Sequence, residues 1–277
     1  MPATLPLAAP APPPVGELLR DWRQRRRLSQ LDLAGEAEVS TRHLSCVETG
    51  RALPSREMVL RLAERLDVPL RERNRLLTAA GYAPMFSEYR LDDPALAAAR
   101  QAIELVLKGH EPCPALVVDR HWTLVSYNRL IPVLLAGVPQ ELLQPPLNVL
   151  RLSLHPQGLA PRIVNLLQWR HHLLSRLQQQ VDASGDATLA ALAEELAGYP
   201  LPPGTDATQL PAHAPAVAMP LQFRTPAGVL SLLSTITVFG TPVDITLAEL
   251  ALETFFPADE ASAQILRRLA DDATAAA

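Results

Sequence analysis

The residues best placed to do chemistry sit together near the start of the chain. Ser40-Thr41-Arg42-His43-Leu44-Ser45-Cys46-Val47-Glu48 reads as a short helix with Ser40 as its cap. Leu44 and Val47 fall on the inward face, together with Leu31, Ala34 and Val39 from the preceding segment. Thr41, Arg42, His43, Ser45 and Cys46 are left outside. A short polar face at a helix N-terminus suits the major groove of DNA. Arg42 is the best candidate for a bidentate contact to guanine, a contact that discriminates by about 1–3 kcal/mol. His43 either faces the groove or flanks it. Ser45 and Cys46 lie one turn further on, at the limit of reach. Cys46 is either a redox switch or simply a small residue facing the groove. Gly50 and Arg51 follow, where backbone N–H groups and a cation can hold a phosphate.

Five short helices between Gly16 and Ala80 must position that face. Ser29 caps the second of them, and Asp32 three residues on completes a capping-box pattern. Leu18, Leu19 and Trp22 begin an apolar stripe that Met58, Val59, Leu62, Ala63 and Leu66 continue. Pro69 ends the fourth helix and Gly81 stops the fifth. Arg25, Arg26 and Arg27 either touch phosphate or form a solvated charged face.

This stretch resembles the phage-repressor-like (Xre-type) helix-turn-helix family over nearly all of 16–80. The resemblance implies a salt bridge from Arg23 to Glu48, tying the first helix to the reading helix; two unrelated surface charges are the alternative. It implies a phosphate contact for Gln30 and base reading by Thr41 and Arg42. The resulting DNA-contact set is Gln30, Ser40, Thr41, Arg42, His43, Ser45 and Arg51. The family often has glycine in the turn before the reading helix, where this chain has Ala37-Glu38-Val39. Glu38 is therefore expected in the left-handed region, at roughly 1 kcal/mol. Such heads usually act as dimers, so a homodimer on double-stranded DNA is expected.

The rest of the chain has a different character. Its 277 residues favour two domains, and an apolar fraction of 48% excludes a disordered protein. Residues 1–82 carry 13 Lys+Arg against 10 Asp+Glu, whereas the remainder carries 12 against 19. A basic head on an acidic body fits a head that meets phosphate and a body that does not. Cys46 and Cys113 have no CxxC partner, which argues against zinc and disulfides and for a reducing, cytoplasmic setting. The Pro/Ala-rich residues 1–15 read as a disordered arm, not a signal peptide. The charge-free run from Thr225 to Val243 contains Pro226, Gly228, Gly240 and Pro242, so it reads as strand rather than membrane span.

After a connector at 83–94, the body (95–271, with a tail at 272–277) alternates between periods. Helices are expected at Ala95–Leu107, Asn128–Leu135, Pro161–Gln180, Leu189–Ala197 and Pro257–Leu269. Strands are expected at Ala115–Asp119, Thr123–Tyr127, Val217–Arg224, Val229–Phe239 and near Ile245, with a Pro-rich loop at 200–216. The fold class is α+β: an all-α five-helix head, then one antiparallel sheet of about five strands packed by helices.

The body resembles the ligand-binding domain of MmyB-like regulators over 95–270. The resemblance rests on Pro114–Trp122, Tyr127-Asn128-Arg129, Leu147–Leu152, Leu154-His155-Pro156 and Ser234–Pro242. It implies a PAS-like sensor domain for a small, mostly apolar effector, with a fatty-acid-like molecule as the family-level ligand. Val229, Ser231, Leu233, Thr235, Thr237 and Phe239 share one strand face and Leu230, Leu232, Ser234, Ile236 and Val238 the other. The hydroxyl-lined face offers hydrogen bonds to a ligand, unless helices cover both faces. The pocket set is Asn128, Arg162, Trp169, Phe223, Leu233, Thr235, Thr237 and Phe239. Asn128 either orients a ligand or caps the next helix. Arg162 pairs a ligand carboxylate, is solvated, or pairs with Asp119. Trp169 is either core or lining. His171 and His172 point about 100° apart on a helix and do not share a metal easily. No catalytic residue, metal or cofactor is expected, because no Gly-rich phosphate loop, GxSxG or HExxH occurs. The leading expectation is a ligand-responsive DNA-binding regulator. An antitoxin or adaptor with a vestigial head, and an enzyme with a regulatory head, are the competing classes.

Overall fold

The computed structural model describes residues 13–201, 219–240 and 242–275. The chain divides into two compact units: Met1–Glu88 with Val243–Ile245, and Tyr89–Pro242 with Thr246–Ala277.

The first unit is helical, with α1 (Val15–Arg25), α2 (Gln30–Glu36), α3 (Thr41–Glu48), α4 (Arg56–Arg65) and α5 (Leu70–Ala79). Local chemistry fixes their starts. The Ser29 hydroxyl accepts from the Asp32 N–H while the Asp32 carboxylate accepts from the Ser29 N–H, a complete capping box. Ser40 and Ser55 cap α3 and α4 in the same way, accepting from His43 N–H and Met58 N–H. Ser40→Ala is expected to lower the stability of this unit by about 1 kcal/mol, read as a shift in its urea midpoint. Leu19, Leu33, Leu44, Leu62, Leu66, Leu76 and Leu77 form its core. Gly16 permits α1 to lie against the end of α3, because a Cβ there would stand 2.2 Å from the Val47 carbonyl oxygen. Glu38 has φ of 54°, the left-handed turn expected before α3. Leu31 corrects the expected inward face: it is 69% exposed. A helix of seven residues carries two apolar phases, and Leu33, Ala34 and Ala37 are the set that packs.

The second unit is built on a five-stranded, wholly antiparallel sheet: β1 (Ala115–Val118), β2 (Leu124–Tyr127), β3 (Leu221–Thr225), β4 (Gly228–Val238) and β5 (Ala251–Pro257). Their spatial order is β2-β1-β5-β4-β3. Helices α6 (Ala97–Gly109), α7 (Leu130–Leu135), α8 (Val149–Leu154), α9 (Leu166–Ser184), α10 (Ala187–Gly198) and α12 (Glu260–Ala275) accompany it, with a single helical turn α11 (Ile245–Ala248) before β5. One sheet face, with Leu116, Leu230, Leu232 and Phe255, packs on α7 to α10 in the main core. Ala115 and Val117 on the other face pack on Ile103 and Leu107 of α6. Helices therefore pack on both faces.

Several expected boundaries move for physical reasons. The strand expected near Ile245 is the turn α11, and the strand is β5. The long helix begins at Leu166, not Pro161, because the Val164 N–H pairs with the Gln222 carbonyl beside β3. Helix α8 was absent from the expectations. The arm expected over 1–15 lies outside the described residues as far as residue 12, and Val15 already belongs to α1. The expected loop lies outside them from residue 202, as do the first two residues of the strand expected from Val217. The expected tail is helical as far as Ala275.

Candidate nucleic-acid interface and ligand cavity

Glu48 organises the helical unit. It is 2% exposed at the end of α3. Arg23 of α1 donates to both its carboxylate oxygens, at 2.7 and 2.8 Å, and the Gln30 side chain of α2 donates at 2.8 Å. Arg20 donates to the Glu48 backbone carbonyl at 2.9 Å. Three helices that share a small core are thus registered on one carboxylate. Burial pushes this carboxyl up, but the bonds from Arg23 and Gln30 and the charges of Arg23 and Arg20 outweigh it and hold it below the usual carboxylate range.

This frame decides which expected DNA contacts are free. Arg42, His43 and Arg51 are exposed, and Thr41, Ser45 and Cys46 are half-buried. The Ser40 hydroxyl is taken by its cap. The Gln30 amide is committed to Glu48, so its expected phosphate contact has lost that donor. The Gly50 and Arg51 N–H groups close α3 by bonding the Val47 and Cys46 carbonyls, at 3.0 and 2.8 Å, and are not offered to phosphate. Of the Arg25–Arg27 run, Arg26 binds the carbonyls of Leu66 and Asp67 and lies over Trp22. Leu53, just after α3, is 79% exposed, an apolar surface that sequence reasoning passed over.

The sheet unit holds a cavity of about 100 Å³ between the sheet and α7, α8 and α9. Of the described residues lining it, all but Ser153 and Glu253 are apolar, and most are leucines. Trp169 lines it and donates its indole N–H to Ser153 Oγ at 3.0 Å. Glu253 of β5 is 6% exposed, with Arg176 Nη1 at 3.7 Å. Arg176 lies 4.5 Å from the Trp122 ring centroid, and Trp122 donates to Gln180 at 2.8 Å. Burial raises the Glu253 carboxyl above the usual range and lowers the Arg176 guanidinium, each against the pull of its partner.

The other expected pocket residues do not converge there. Asn128 is buried, with Oδ1 accepting from the N–H groups of Ala115 and Leu130 and Nδ2 donating to the carbonyls of Cys113 and Leu107. Its amide is satisfied by backbone and leaves nothing for a ligand. Arg162 donates to the carbonyls of Leu134, Ala136 and Arg224 and lies over the Phe223 ring at 4.3 Å. It does not pair with Asp119, which instead accepts the N–H groups of His121 and Thr123 in the β1–β2 turn. Phe223 is packed in the core. Leu233 and Thr235 belong to the opposite strand face, where Thr235 bonds Thr254 at 2.7 Å. Thr237 and Phe239 line a separate apolar hollow of about 120 Å³ against α6. Sequence reasoning missed Glu253 and Ser153; the signal for the first was a lone acid inside Ala251-Leu252-Glu253-Thr254-Phe255-Phe256.

Comparison with known proteins gives two family matches. The model of the MmyB-like transcription regulator ligand binding domain matches residues 99–269, and that of a helix-turn-helix domain matches residues 14–76. No curated protein matches. Among solved structures, the "Structure of an RNA-binding Light-Oxygen-Voltage Receptor" is similar at 12% identity with a TM-score of 0.25. The match covers 95% of this chain and spans 64% of that structure, a likeness too slight to transfer fold or function.

Proposed function

The chain belongs to the family of MmyB-like transcription regulators with a ligand-binding domain, and from that membership we propose how its two units divide the work. A helix-turn-helix unit that binds DNA and a domain that binds a small effector make it a ligand-responsive regulator. In the finer reading, α3 enters the major groove with Arg42, His43 and Thr41 toward base edges and with Arg51 near phosphate. The protein acts as a cytoplasmic homodimer on two half-sites, and ligand shifts the relative placement of the two heads. Its role is regulatory rather than catalytic. No helix among the described residues is long and apolar enough to cross a membrane.

The observation that carries the sensing half is the leucine-walled cavity of the sheet unit. Its walls match a small apolar molecule, or the alkyl part of a fatty-acid-like one. The effector side of the reading needs no metal or cofactor.

The test is fluorescence anisotropy of the full-length protein on DNA from its own upstream region, with salt varied. Wild type is expected to bind selectively, with affinity falling steeply as salt rises. Arg42→Ala is expected to weaken selective binding by roughly 5- to 150-fold, the equivalent of about 1–3 kcal/mol. Selective binding that survives Arg42→Ala unchanged would remove Arg42 from base reading. An absence of selective binding at low salt across genomic fragments would count against the regulator reading itself.

A further inference from the structure

Resting on the ligand-responsive reading, we propose that the cavity chooses its ligand by head group: it accepts a compact, neutral or cationic molecule bearing an O–H or N–H donor for Glu253, and it turns away carboxylates. Three observations carry this.

The first is size. The cavity measures about 100 Å³. An apolar cavity of about 150 Å³ lined by similar side chains holds benzene. The space therefore suits a ring or short branched chain of roughly half a dozen heavy atoms, not a long extended acyl chain.

The second is the sign of the polar groups. Among the described residues lining the cavity, Glu253 is the one that can carry charge. Its counter-ion Arg176 is not among them; it lies beside Glu253 and against Trp122. A ligand in the cavity therefore meets the acid and not the base. Ser153 is the neutral polar group, and its oxygen already accepts from Trp169.

The third is the chemistry of a buried acid. Whether ionised or protonated, Glu253 keeps an acceptor oxygen, so an alcohol or amine finds a partner in either form. A carboxylate entering the same apolar space sets a second acid beside the first. Two carboxylates out of water cannot both ionise without a large penalty. The leucine walls offer nothing to offset it.

The test uses the full-length protein and three isosteric probes: cyclohexanol, cyclohexylamine and cyclohexanecarboxylate. Binding is read by calorimetry, with tryptophan fluorescence as a second signal because Trp169 lines the cavity. The expected result is saturable binding of the alcohol and the amine, each about tenfold or more tighter than the carboxylate. Glu253→Gln is expected to flatten that ratio. The wild-type ratio stands as a test by itself if this variant does not fold. Leu173→Phe, which fills the cavity from its wall, is expected to abolish binding of all three. The proposal is overturned if the carboxylate binds as tightly as the alcohol. It is also overturned if Leu173→Phe leaves alcohol binding intact, or if no probe binds at millimolar concentration. No readout involves DNA, so failure here leaves operator binding as an independent result, and failure of operator binding leaves the head-group preference measurable.

Discussion

Glu48→Ala is expected to destabilise the helical unit by about 3–5 kcal/mol, the loss that follows when one partner of a buried ion pair is removed. The carboxylate is the single acceptor for Arg23 and for the Gln30 amide. Without it, the Arg23 guanidinium is left 12% exposed and without an anion between α1 and α3. A domain holds only about 5–15 kcal/mol in all, so the unit is brought close to unfolding. Removing both charges together, as Arg23→Leu with Glu48→Leu, is expected to recover much of the loss, because no unpaired charge remains. The measurement is far-UV circular dichroism against urea for wild type, each single variant and the double. Additive single losses in the double would show that the pair is not coupled. Acid has the same sign as the mutation. The Glu48 carboxyl is held below its unfolded value, so its contribution is complete above the unfolded value of 4.5 and is lost as pH falls through the lower folded value. Wild type is thus expected to lose stability on acidification through that window, and Glu48→Ala to lose less.

What sequence could reveal here followed the range of the interactions. Capping is local: Ser29 with Asp32, and Ser40 with His43, act over three residues and are visible as strings. The left-handed Glu38 follows from a turn that lacks glycine. Phase within a short helix is not local. Leu31 and Leu33 compete for one buried face, and only the packing partners of α2 choose Leu33. Strand β5 was hidden because Glu253 interrupts its apolar pattern, while Ile245-Thr246-Leu247-Ala248 imitates a strand and forms a turn of helix. Both faces of β4 alternate as expected, yet alternation cannot say which face encloses space. The face with Leu230 and Leu232 packs on the larger core and borders the cavity, while the hydroxyl-rich face that looked like a binding surface turns toward α6.

The site residues show the same limit. Asn128 and Arg162 were singled out because polar side chains in apolar surroundings suggest ligand contacts. Both are consumed by backbone carbonyls and N–H groups, some of them distant in sequence, such as Arg224 for Arg162. Gln30 met the same fate at Glu48, eighteen residues away. Buried polar groups are satisfied first by the fold. The group left facing the cavity, Glu253, came from a strand that periodicity did not reveal.

Asn128→Ala is the complementary experiment, and its outcome separates structure from sensing. One side chain closes four backbone groups: the N–H of Ala115 at the start of β1, the N–H of Leu130 at the start of α7, and the carbonyls of Leu107 and Cys113 between α6 and β1. The residue is 5% exposed, so water does not replace it freely. A buried donor or acceptor left unpaired costs about 1–3 kcal/mol, and partial relaxation keeps the sum below the arithmetic total. An overall loss of about 3 kcal/mol is expected in the denaturant midpoint of the sheet unit. Asn128→Asp sharpens the argument. It keeps one acceptor but places a second carboxylate oxygen opposite the Cys113 and Leu107 carbonyls. The introduced acid has its folded value raised, so the penalty is full above that value and is relieved as pH falls and the group takes up a proton. A variant that melts like wild type but no longer responds to a cavity ligand would return Asn128 to the binding site. A variant that melts early, yet binds cyclohexanol normally at low temperature, fixes it as the clasp that holds α6, β1 and α7 around the cavity.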